Sequence, residues 1–335
     1  MTTSLISILM PFKNTEDYLK ECLESIQQQE YQFWELIAVN DHSTDNSQEI
    51  VQEFSARDKR IKLEQNTDNG IIPALRLAFN KSSGEYITRM DSDDIMKPGK
   101  LSTLLQPLKE KGEGHVAVGQ VKYFSHRGIS NGYARYEKWI NELTSTGTNY
   151  TEIYKECVIP SPCWMIHRTD LLHCGAFHPD RYPEDYDLTF RFYEKGMKCI
   201  PCDSVLHLWR DYDTRTSRTS EHYAQNYFLD IKLHYFLKLD YKKSRPLVLW
   251  GAGFKGKTLA KGLKDKGIPF DWLCDNPKKI GKSIYDIPLV QYQKLAQLEN
   301  PQSIITVANE NAQQEIRAYL QSLGLDHTGD SFFFC

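Results

Sequence analysis

Four consecutive residues, Asp91, Ser92, Asp93 and Asp94, follow the run Tyr86-Ile87-Thr88 after only two intervening residues. Two carboxylates one residue apart at a strand end can turn toward one cation, and hard oxygen ligands of this kind suit Mg²⁺ or Mn²⁺. Such an ion can bridge a diphosphate and neutralise the charge that develops on a leaving group. An isolated Asp-Ser-Asp is more often a plain acidic turn, so the neighbouring elements must decide.

Those elements alternate between short β-branched runs and helical periods from residue 5 to residue 90, which predicts successive βαβ units and a mostly parallel sheet. The predicted strands are Leu5 to Met10, Trp34 to Val39, Arg60 to Glu64 and Glu85 to Met90, and the predicted helices are Glu16 to Gln29, Ser47 to Ala56 and Ile71 to Asn80. Ligands of open sheets bind beyond the carboxyl ends of the strands. We therefore expect residues 11–14, 40–45 and 91–94 to meet at one edge.

Taken in order, the motifs at these strand ends resemble the donor-binding half of family 2 glycosyltransferases with the GT-A fold. They are Leu9 to Asn14, Val39 to Asp45, Asn69-Gly70, Gly84 to Ile87 and Asp91 to Asp94. The resemblance covers residues 4 to about 105 densely. It implies an inverting transferase that uses a nucleoside-diphosphate sugar and Mn²⁺ or Mg²⁺.

The resemblance also implies residue roles. Asp41 matches a carboxylate that accepts a hydrogen bond from a pyrimidine N–H, which favours a UDP-sugar. Asp93 matches the direct metal ligand, and Asp91 a position near the ribose and the metal. The full donor-binding set is Pro11, Phe12, Asn14, Asp41, Gly70, Arg89, Asp91, Ser92 and Arg210.

Two residues depart from the family pattern. Lys13 stands where many members carry a tyrosine against the base, and Arg76 stands where an asparagine is common. Lys13 could approach a phosphate or lie in solvent as an ordinary surface lysine. Donor identity depends on these two positions.

A second acidic pair, Glu184 and Asp185, precedes the run Tyr186 to Arg191. On physical grounds alone, acidic residues at a helix start are favoured by the helix dipole. The resemblance makes one of the two carboxylates the general base, and Asp185 is our first choice.

Farther along, His207, Arg210, Arg215 and Arg218 form a basic stretch. In the family an arginine here helps to hold the diphosphate, and many members have a metal-binding histidine at the position of Tyr212. His207 is therefore a candidate third metal ligand, although a histidine within an apolar strand is more often a packed core residue.

After the polar segment Asp240 to Pro246, the chain restarts with a strand, Leu247 to Trp250, and a glycine-rich turn. Gly251, Gly253 and Gly256 open a helix, and Asp275 follows Gly256 by nineteen positions, which is the context of a dinucleotide fingerprint. The module also resembles small Rossmann-like domains attached to surface-polysaccharide enzymes. Binding a second nucleotide and a purely structural role both remain open.

The predicted architecture is therefore α/β: a GT-A domain whose mostly parallel sheet has helices on both faces, followed by a small Rossmann-like domain. We draw the boundaries at 1–222, with a donor half (1–100) and an acceptor half (101–222), at 223–245 for a helical linker, and at 246–335.

Net charge and hydrophobicity indicate which kinds of partner the protein can have. The 335 residues carry a formal charge of -3, which offers no global field for collecting nucleic acid. No run approaches the roughly 20 apolar residues of a membrane span, and Met1 to Met10 lacks a signal peptide's basic start. We expect a cytoplasmic protein, with peripheral association at the inner membrane face compatible with a lipid-linked acceptor.

The sequence thus predicts transfer of a sugar to a hydroxyl of a glycan or lipid-linked glycan in surface-polysaccharide synthesis. A nucleotidyltransferase is the first alternative, but it needs a glycine-rich basic loop, and Met10 to Lys13 contains no glycine. A non-catalytic sugar-nucleotide-binding protein is the second alternative, and retention of the whole acidic set argues against it.

Overall fold

The computed structural model describes residues 3–215, 218, 228–325 and 329–335. The chain divides into two compact units. The first unit is Met1–Asn149 with Val158–Arg215, and the second unit is Tyr150–Cys157 with Thr216–Cys335. No helix among these described residues is both long and apolar enough to cross a membrane.

The described part of the first unit contains two sheets and seven α-helices. Its strands are β1 (Ile6–Phe12), β2 (Trp34–Asn40), β3 (Ile61–Gln65), β4 (Tyr86–Arg89), β5 (Ile95–Met96), β6 (His115–Val118), β7 (Gln120–Phe124), β8 (Trp164–His167), β9 (Lys198–Ile200) and β10 (Val205–Arg210). Its helices are α1 (Glu16–Gln27), α2 (Ser47–Arg57), α3 (Ile71–Lys81), α4 (Lys100–Lys111), α5 (Asn131–Thr146), α6 (Arg168–His173) and α7 (Glu184–Glu194).

The large sheet has the strand order β3-β2-β1-β4-β8-β6-β9, and a small sheet has the order β5-β10-β7. Strands β1 to β4 are parallel to one another, whereas β8 runs antiparallel to β4 and β6. The connections β1 to β2 and β2 to β3 step one way across the sheet, and β3 to β4 steps back. Right-handed crossovers therefore place α1 and α2 on one face and α3 on the other.

The sequence of β1 fits this position, because a central parallel strand is covered on both faces and β1 is apolar at every position except Ser7. In α1, Leu19, Cys22, Leu23 and Ile26 recur at helical spacing and are buried against the sheet. The mostly parallel sheet with helices on both faces is confirmed. The predicted elements of residues 5–90 agree with the observed ones to within about two residues at most ends.

Parallel pairing brings the strand ends to one edge. Phe12 lies beside Asn40, and Leu9 lies beside Arg89, so the loops after β1, β2 and β4 leave the sheet together. This edge is the one to which the sequence assigned the donor site.

The second unit is a smaller α/β layer structure. Its elements are α8 (Leu229–Tyr235), a π-helical turn (Phe236–Asp240), β11 (Leu247–Trp250), α9 (Phe254–Asp265), β12 (Asp271–Cys274), β13 (Ser283–Ile284), β14 (Ile287–Gln291), a 3₁₀ turn (Tyr292–Gln297), β15 (Gln302–Ile305), α10 (Glu310–Ser322) and β16 (Ser331–Phe333). The sheet order is β13-β14-β12-β11-β15-β16, with every pair except β13 with β14 parallel. Helices α9 and α10 belong to crossovers in opposite directions and so cover opposite faces.

Residues 150–157 pack within the second unit, although the sequence analysis placed them in the acceptor half. The Tyr154 ring stacks on Phe334 at 5.2 Å and meets Phe236 edge-on. The Tyr154 hydroxyl donates to Asp240, and Arg317 pairs with Glu152 at 2.8 Å. The core of the second unit is therefore assembled from two stretches of sequence far apart in the chain.

Candidate active site

The loop after β1 is tied to the loop after β2 through Asn14. Its backbone has φ 51°, in the left-handed region where asparagine is tolerated. In this conformation Asn14 Oδ1 accepts the Thr44 N–H at 2.7 Å, and the Asn14 N–H donates to Ser43 Oγ at 3.2 Å. Pro11 and Phe12 lie at the end of β1 beside this junction.

Asp41 is fixed at the end of β2 by donors from the loop before α3. Its Oδ1 accepts from Asn66 Nδ2 at 2.7 Å, and the Gly70 N–H reaches both carboxylate oxygens at 3.0 and 3.1 Å. Gly70 has φ 102°, a conformation that side-chain-bearing residues rarely adopt. A carboxylate offers about four acceptor positions, so Asp41 can still accept a further hydrogen bond.

Lys13 and Arg76, the two departures from the family pattern, contact different parts of the first unit. Lys13 Nζ lies 3.9 Å from Asp41 Oδ2, with half of the Lys13 side chain exposed. Arg76 donates to the carbonyls of Phe177 and His178 at 3.0 Å each, and therefore fixes that segment.

The acidic loop gives each of its first three side chains a different environment. Asp91 Oδ1 accepts from Arg89 Nε at 3.1 Å, and Ser92 Oγ accepts from Thr15 Oγ1 at 3.1 Å. Asp93 Oδ2 accepts from the Tyr212 hydroxyl at 2.8 Å. Burial, together with the nearby charge of Asp94, raises the pKa of Asp93 to about 7.

Asp94 is fully buried at the end of a polar chain. Its Oδ1 accepts the Arg210 N–H at 2.7 Å, and its Oδ2 lies 2.9 Å from His207 Nε2. On the other side of the ring, His207 Nδ1 lies 3.2 Å from Lys100 Nζ, which also donates to the Pro162 carbonyl. Burial is the largest cause that raises the pKa of Asp94 to about 7.

These contacts with Asp94 and Lys100 determine the protonation state of His207. Burial and the Lys100 charge hold its pKa well below the ordinary value, so the ring is neutral. A neutral ring that donates from Nε2 to Asp94 and accepts at Nδ1 from Lys100 has no nitrogen left for a metal. The structure therefore does not bring His207 to the metal position for which the sequence made it a candidate. The buried lysine is the reason, and its burial cannot be read from a helical sequence pattern.

Arg210 supports the acidic loop. Its backbone N–H bonds Asp94, its Nε donates to the Asp93 carbonyl at 2.7 Å, and its guanidinium also bonds Glu21. The same guanidinium lies 4.8 Å from the ring centre of Tyr18. Sequence reasoning missed Glu21, Lys100 and Tyr18, because they reach the site from helices α1 and α4 and match no motif.

Arg215 adds a third guanidinium near the acidic loop, besides those of Arg89 and Arg210. It lies over the rings of Trp209 and Tyr123, at 5.4 and 5.8 Å from their centres. The charges of Asp94, Asp93 and Asp91 raise the pKa of Arg215 despite its burial. Arg218 is among the described residues, but most of residues 216–227 lie outside them.

The acidic pair lies at the start of α7, after Pro183. Glu184 Oε1 accepts from Arg89 Nη1 at 2.8 Å, so Arg89 joins the acidic loop to α7. The charges of Asp91, Glu184 and Asp185 raise the pKa of the buried Arg89. Arg89 is thus a fixed cation between two acidic segments that are far apart in sequence.

Asp185 is held differently from Glu184. Its Oδ1 accepts the Tyr186 N–H at 2.8 Å, and no side chain among the described residues donates to its carboxylate. The Asp185 side chain is partly exposed, but the surrounding protein displaces most of the nearby water. Burial and the neighbouring Glu184 raise the pKa of Asp185 to about 7, with Arg89 opposing. A base active near neutral pH needs a pKa in this range.

No three His, Cys, Asp or Glu side chains converge as a closed metal site in the part of the chain that the structure describes. A divalent cation that also binds substrate phosphates needs only one or two carboxylates from the protein. Asp91 and Asp93 provide two, and the buried negative charge around Asp93 is what a cation relieves. The residues present fit such an ion.

In the second unit, Gly251 and Gly253 lie between β11 and α9, and Gly256 lies in the first turn of α9. A Cβ on Gly256 would lie 2.1 Å from the Gly251 carbonyl oxygen, and one on Gly251, at φ 112°, would lie 2.5 Å from Thr306 Oγ1. A Cβ on Gly253 would meet nothing within 4 Å. Asp275 is exposed after β12. Close packing accounts for two of the three glycines.

Comparisons with known proteins identify the family of this chain. Residues 7–175 match the family described as Glycosyl transferase family 2. Over 227 residues the chain is 31% identical to the glycosyltransferase GlyG of Streptococcus pneumoniae, covering 65% of this chain and 74% of GlyG.

Another relative is the GalNAc(5)-diNAcBac-PP-undecaprenol beta-1,3-glucosyltransferase of Campylobacter jejuni. It is 35% identical over 113 residues, which are 33% of this chain and 36% of that enzyme. The crystal structure of S. aureus TarS 1-349 in complex with UDP-GlcNAc is similar in fold, with a TM-score of 0.55 at 20% identity over 71% of this chain and 68% of TarS 1-349. The first unit therefore has the GT-A fold, and the chain belongs to glycosyl transferase family 2.

Proposed function

We propose that this glycosyltransferase is an inverting, metal-dependent enzyme that transfers a sugar from a UDP-sugar to a hydroxyl of a glycan or lipid-linked glycan. The observation that carries the proposal is the acidic edge of the first unit. There Arg89 joins Asp91 to Glu184, and burial raises the pKa values of Asp93 and Asp185 to about 7. Perturbed carboxylates grouped at a ligand-binding edge are typical of catalytic sites.

The nucleotide would bind where the β1, β2 and α3 loops meet. Asp41 is fixed by Gly70 and Asn66 and can accept the pyrimidine N–H, while Pro11 and Phe12 border the same place. A uracil or thymine base offers that donor. The UDP-GlcNAc bound to TarS supports a uridine nucleotide.

Asp93 and Asp91 would hold Mn²⁺ or Mg²⁺ together with the donor diphosphate. When bound, the ion supplies charge neutralisation to the departing diphosphate. Tyr212 keeps Asp93 oriented through Oδ2, and Arg210 holds the loop through the Asp93 carbonyl. Ser92 and Asn14 fix neighbouring turns of the same edge.

Asp185 is the proposed general base. It takes the proton of the acceptor hydroxyl while the acceptor oxygen bonds the anomeric carbon and the bond from that carbon to the diphosphate oxygen breaks. Attack opposite the leaving group inverts the configuration. Glu184 is the weaker candidate, because its carboxylate already balances Arg89.

The Campylobacter relative is named for an undecaprenol-linked acceptor, which supports a lipid-linked acceptor for this chain. We accordingly propose surface-polysaccharide synthesis as the process and the cytoplasmic membrane face as its place.

A panel of UDP-, GDP- and dTDP-sugars with Mn²⁺ tests the proposal, with nucleotide release read in the presence and absence of glycan acceptors. We expect release from one UDP-sugar, loss of release with EDTA, and loss in the Asp93→Asn variant. Glu49→Gln, at an exposed position of α2, is the matched control. Release that survives both EDTA and Asp93→Asn would contradict the metal-dependent mechanism.

A further inference from the structure

Charge is unevenly distributed in the second unit. Residues 251–282 contain eight lysines and three aspartates and no other charged residue, a formal charge of +5. Because the whole chain carries -3, all its other residues together carry -8. Residues 283–335 contain two basic and six acidic residues, so the second unit is basic in one stretch and acidic in the next.

The fold separates the helix of the basic stretch from the helix of the acidic stretch. Helix α9, in the basic stretch, and helix α10, in the acidic stretch, cover opposite faces of the same sheet. The packing agrees, since Ile316 and Leu320 of α10 belong to one buried cluster with Val248 and Trp250 of β11, while the buried residues of α9 lie outside that cluster. The lysines of α9 therefore lie on the opposite face of the sheet from Glu310 and Glu315 of α10, whereas Asp286 of the acidic stretch lies beside Lys264.

Three exposed lysines form a row on α9: Lys257, Lys261 and Lys264, which we call the α9 lysine face. Their spacing of four and three residues puts them on one side of the helix. Lys264 pairs with Asp286 at 2.9 Å, and Lys257 and Lys261 form no ion pair with any residue that the structure describes. Such a row is an electrostatic footprint for an anionic partner.

Aromatic side chains lie at both ends of this row. Phe254, the first residue of α9, is 59% exposed, and Tyr285 is 41% exposed. Lys264 Nζ donates to the Tyr285 carbonyl at 2.8 Å, which places Tyr285 at the far end of the row. At 1.5 Å per residue, Phe254 and Lys264 are about 15 Å apart along the helix. Lysines flanked by rings are typical of surfaces that lie at a lipid headgroup layer.

We infer that the α9 lysine face docks this enzyme onto an anionic phospholipid surface, with the Phe254 and Tyr285 rings at the headgroup level. A flat membrane contacts only one face of the unit, so it is attracted by the lysines of that face. A flexible polyanion in solution can also approach the other residues of the chain, whose net charge of -8 repels it. The inference rests on the proposed function in one respect, the lipid-linked acceptor, which a membrane-bound enzyme reaches by diffusion in two dimensions.

The test is flotation of the full chain, without donor or acceptor, on phosphatidylcholine vesicles with and without about one third phosphatidylglycerol. We expect binding only to the anionic vesicles and a steep loss between about 0.1 and 0.5 M NaCl. Each lysine near such a surface contributes about five-fold to partitioning, so the triple variant Lys257→Gln/Lys261→Gln/Lys264→Gln should bind roughly 100-fold more weakly.

Two controls isolate the face. Lys20→Gln/Lys111→Gln/Lys138→Gln removes the same charge from exposed helix positions of the first unit and should change partitioning by about two-fold at most. Lys257→Arg/Lys261→Arg/Lys264→Arg keeps the charge and should keep the binding. All three variants are surface changes and should unfold at the wild-type temperature.

The inference is overturned if the wild type ignores anionic vesicles, if both glutamine variants lose binding equally, or if an oligonucleotide binds this face more tightly than the vesicles. Because no donor is present, each of these results is distinguishable from failure of the transferase reaction.

Discussion

The acidic edge of the first unit, which we propose binds the donor, and the glycine loop of the second unit both lie where parallel strands end, yet they consist of different kinds of residue. At the first edge, Arg89 bridges acidic residues far apart in sequence, and buried carboxylates crowd together. At the second edge, Gly251 and Gly256 let backbone and helix approach closely, and the charges lie outside on α9.

This difference separates two features of a binding site: the converging loops, which any parallel sheet edge provides, and the charged side chains, which it does not. The parallel sheet supplies a place where loops converge, and this place exists in both units. Burying charged groups costs free energy, and chains retain such groups mostly where chemistry uses them. The acidic edge of the first unit buries charged groups at this cost in free energy, whereas the glycines of the second unit serve close packing.

The largest expected effect is that of Asp185→Asn, which removes the proposed base from the first edge. Turnover should fall by about 10² to 10⁴, with donor affinity unchanged, because the base acts on the acceptor proton and does not hold the nucleotide. Single-turnover kinetics and calorimetry with the UDP-sugar measure the two properties separately.

Glu184→Gln is the matched control for this prediction. It should slow transfer less and lower the thermal stability more, because it weakens the buried pair with Arg89. If neither variant slows transfer beyond a few-fold, the base lies elsewhere.

Next in size is the effect of the metal. EDTA or Asp93→Asn should weaken donor binding by at least about ten-fold, because the diphosphate charge then lacks its cation. Calorimetry with and without Mn²⁺ measures the change. Gly256→Ala, in the second unit, should leave the donor affinity unaltered. An equal loss of donor affinity in this variant would show that the glycine loop also takes part in donor binding.

The pH dependence follows from the raised pKa of Asp185. A base must be deprotonated, so activity at saturating metal and donor should rise with pH through about 7 and level off above it. Well below that pKa the rate should fall about ten-fold for each further pH unit. A rate that stays constant down to about pH 5 would show that no group with this pKa carries the reaction.

The smallest effect concerns the glycines of the second unit. Gly256→Ala places a Cβ against the Gly251 carbonyl and should destabilise the second unit by about 1–3 kcal/mol, whereas Gly253→Ala meets open space. Thermal unfolding of the two variants measures the difference. If Gly253→Ala is equally destabilising, close packing does not explain this loop.

Much of the architecture follows from the sequence alone. Apolar runs with a period near two or 3.6 specify strands and helices locally, and the order of these elements predicts that residues 11–14, 40–45 and 91–94 meet at one edge. Motif order along the chain then named the acidic loop and the pair at the start of α7. These features are local, so a single stretch of sequence carries each of them.

Tertiary structure decided how the named residues are used. His207 is engaged by Asp94 and Lys100, from segments more than 100 residues away, and only their burial together makes the ring neutral and unavailable. Residues 150–157 join the second unit because the partners of Tyr154, among them Asp240 and Phe334, lie far later in the chain. Desolvation and long-range pairing depend on which segments are brought together, and no local pattern in the sequence records that.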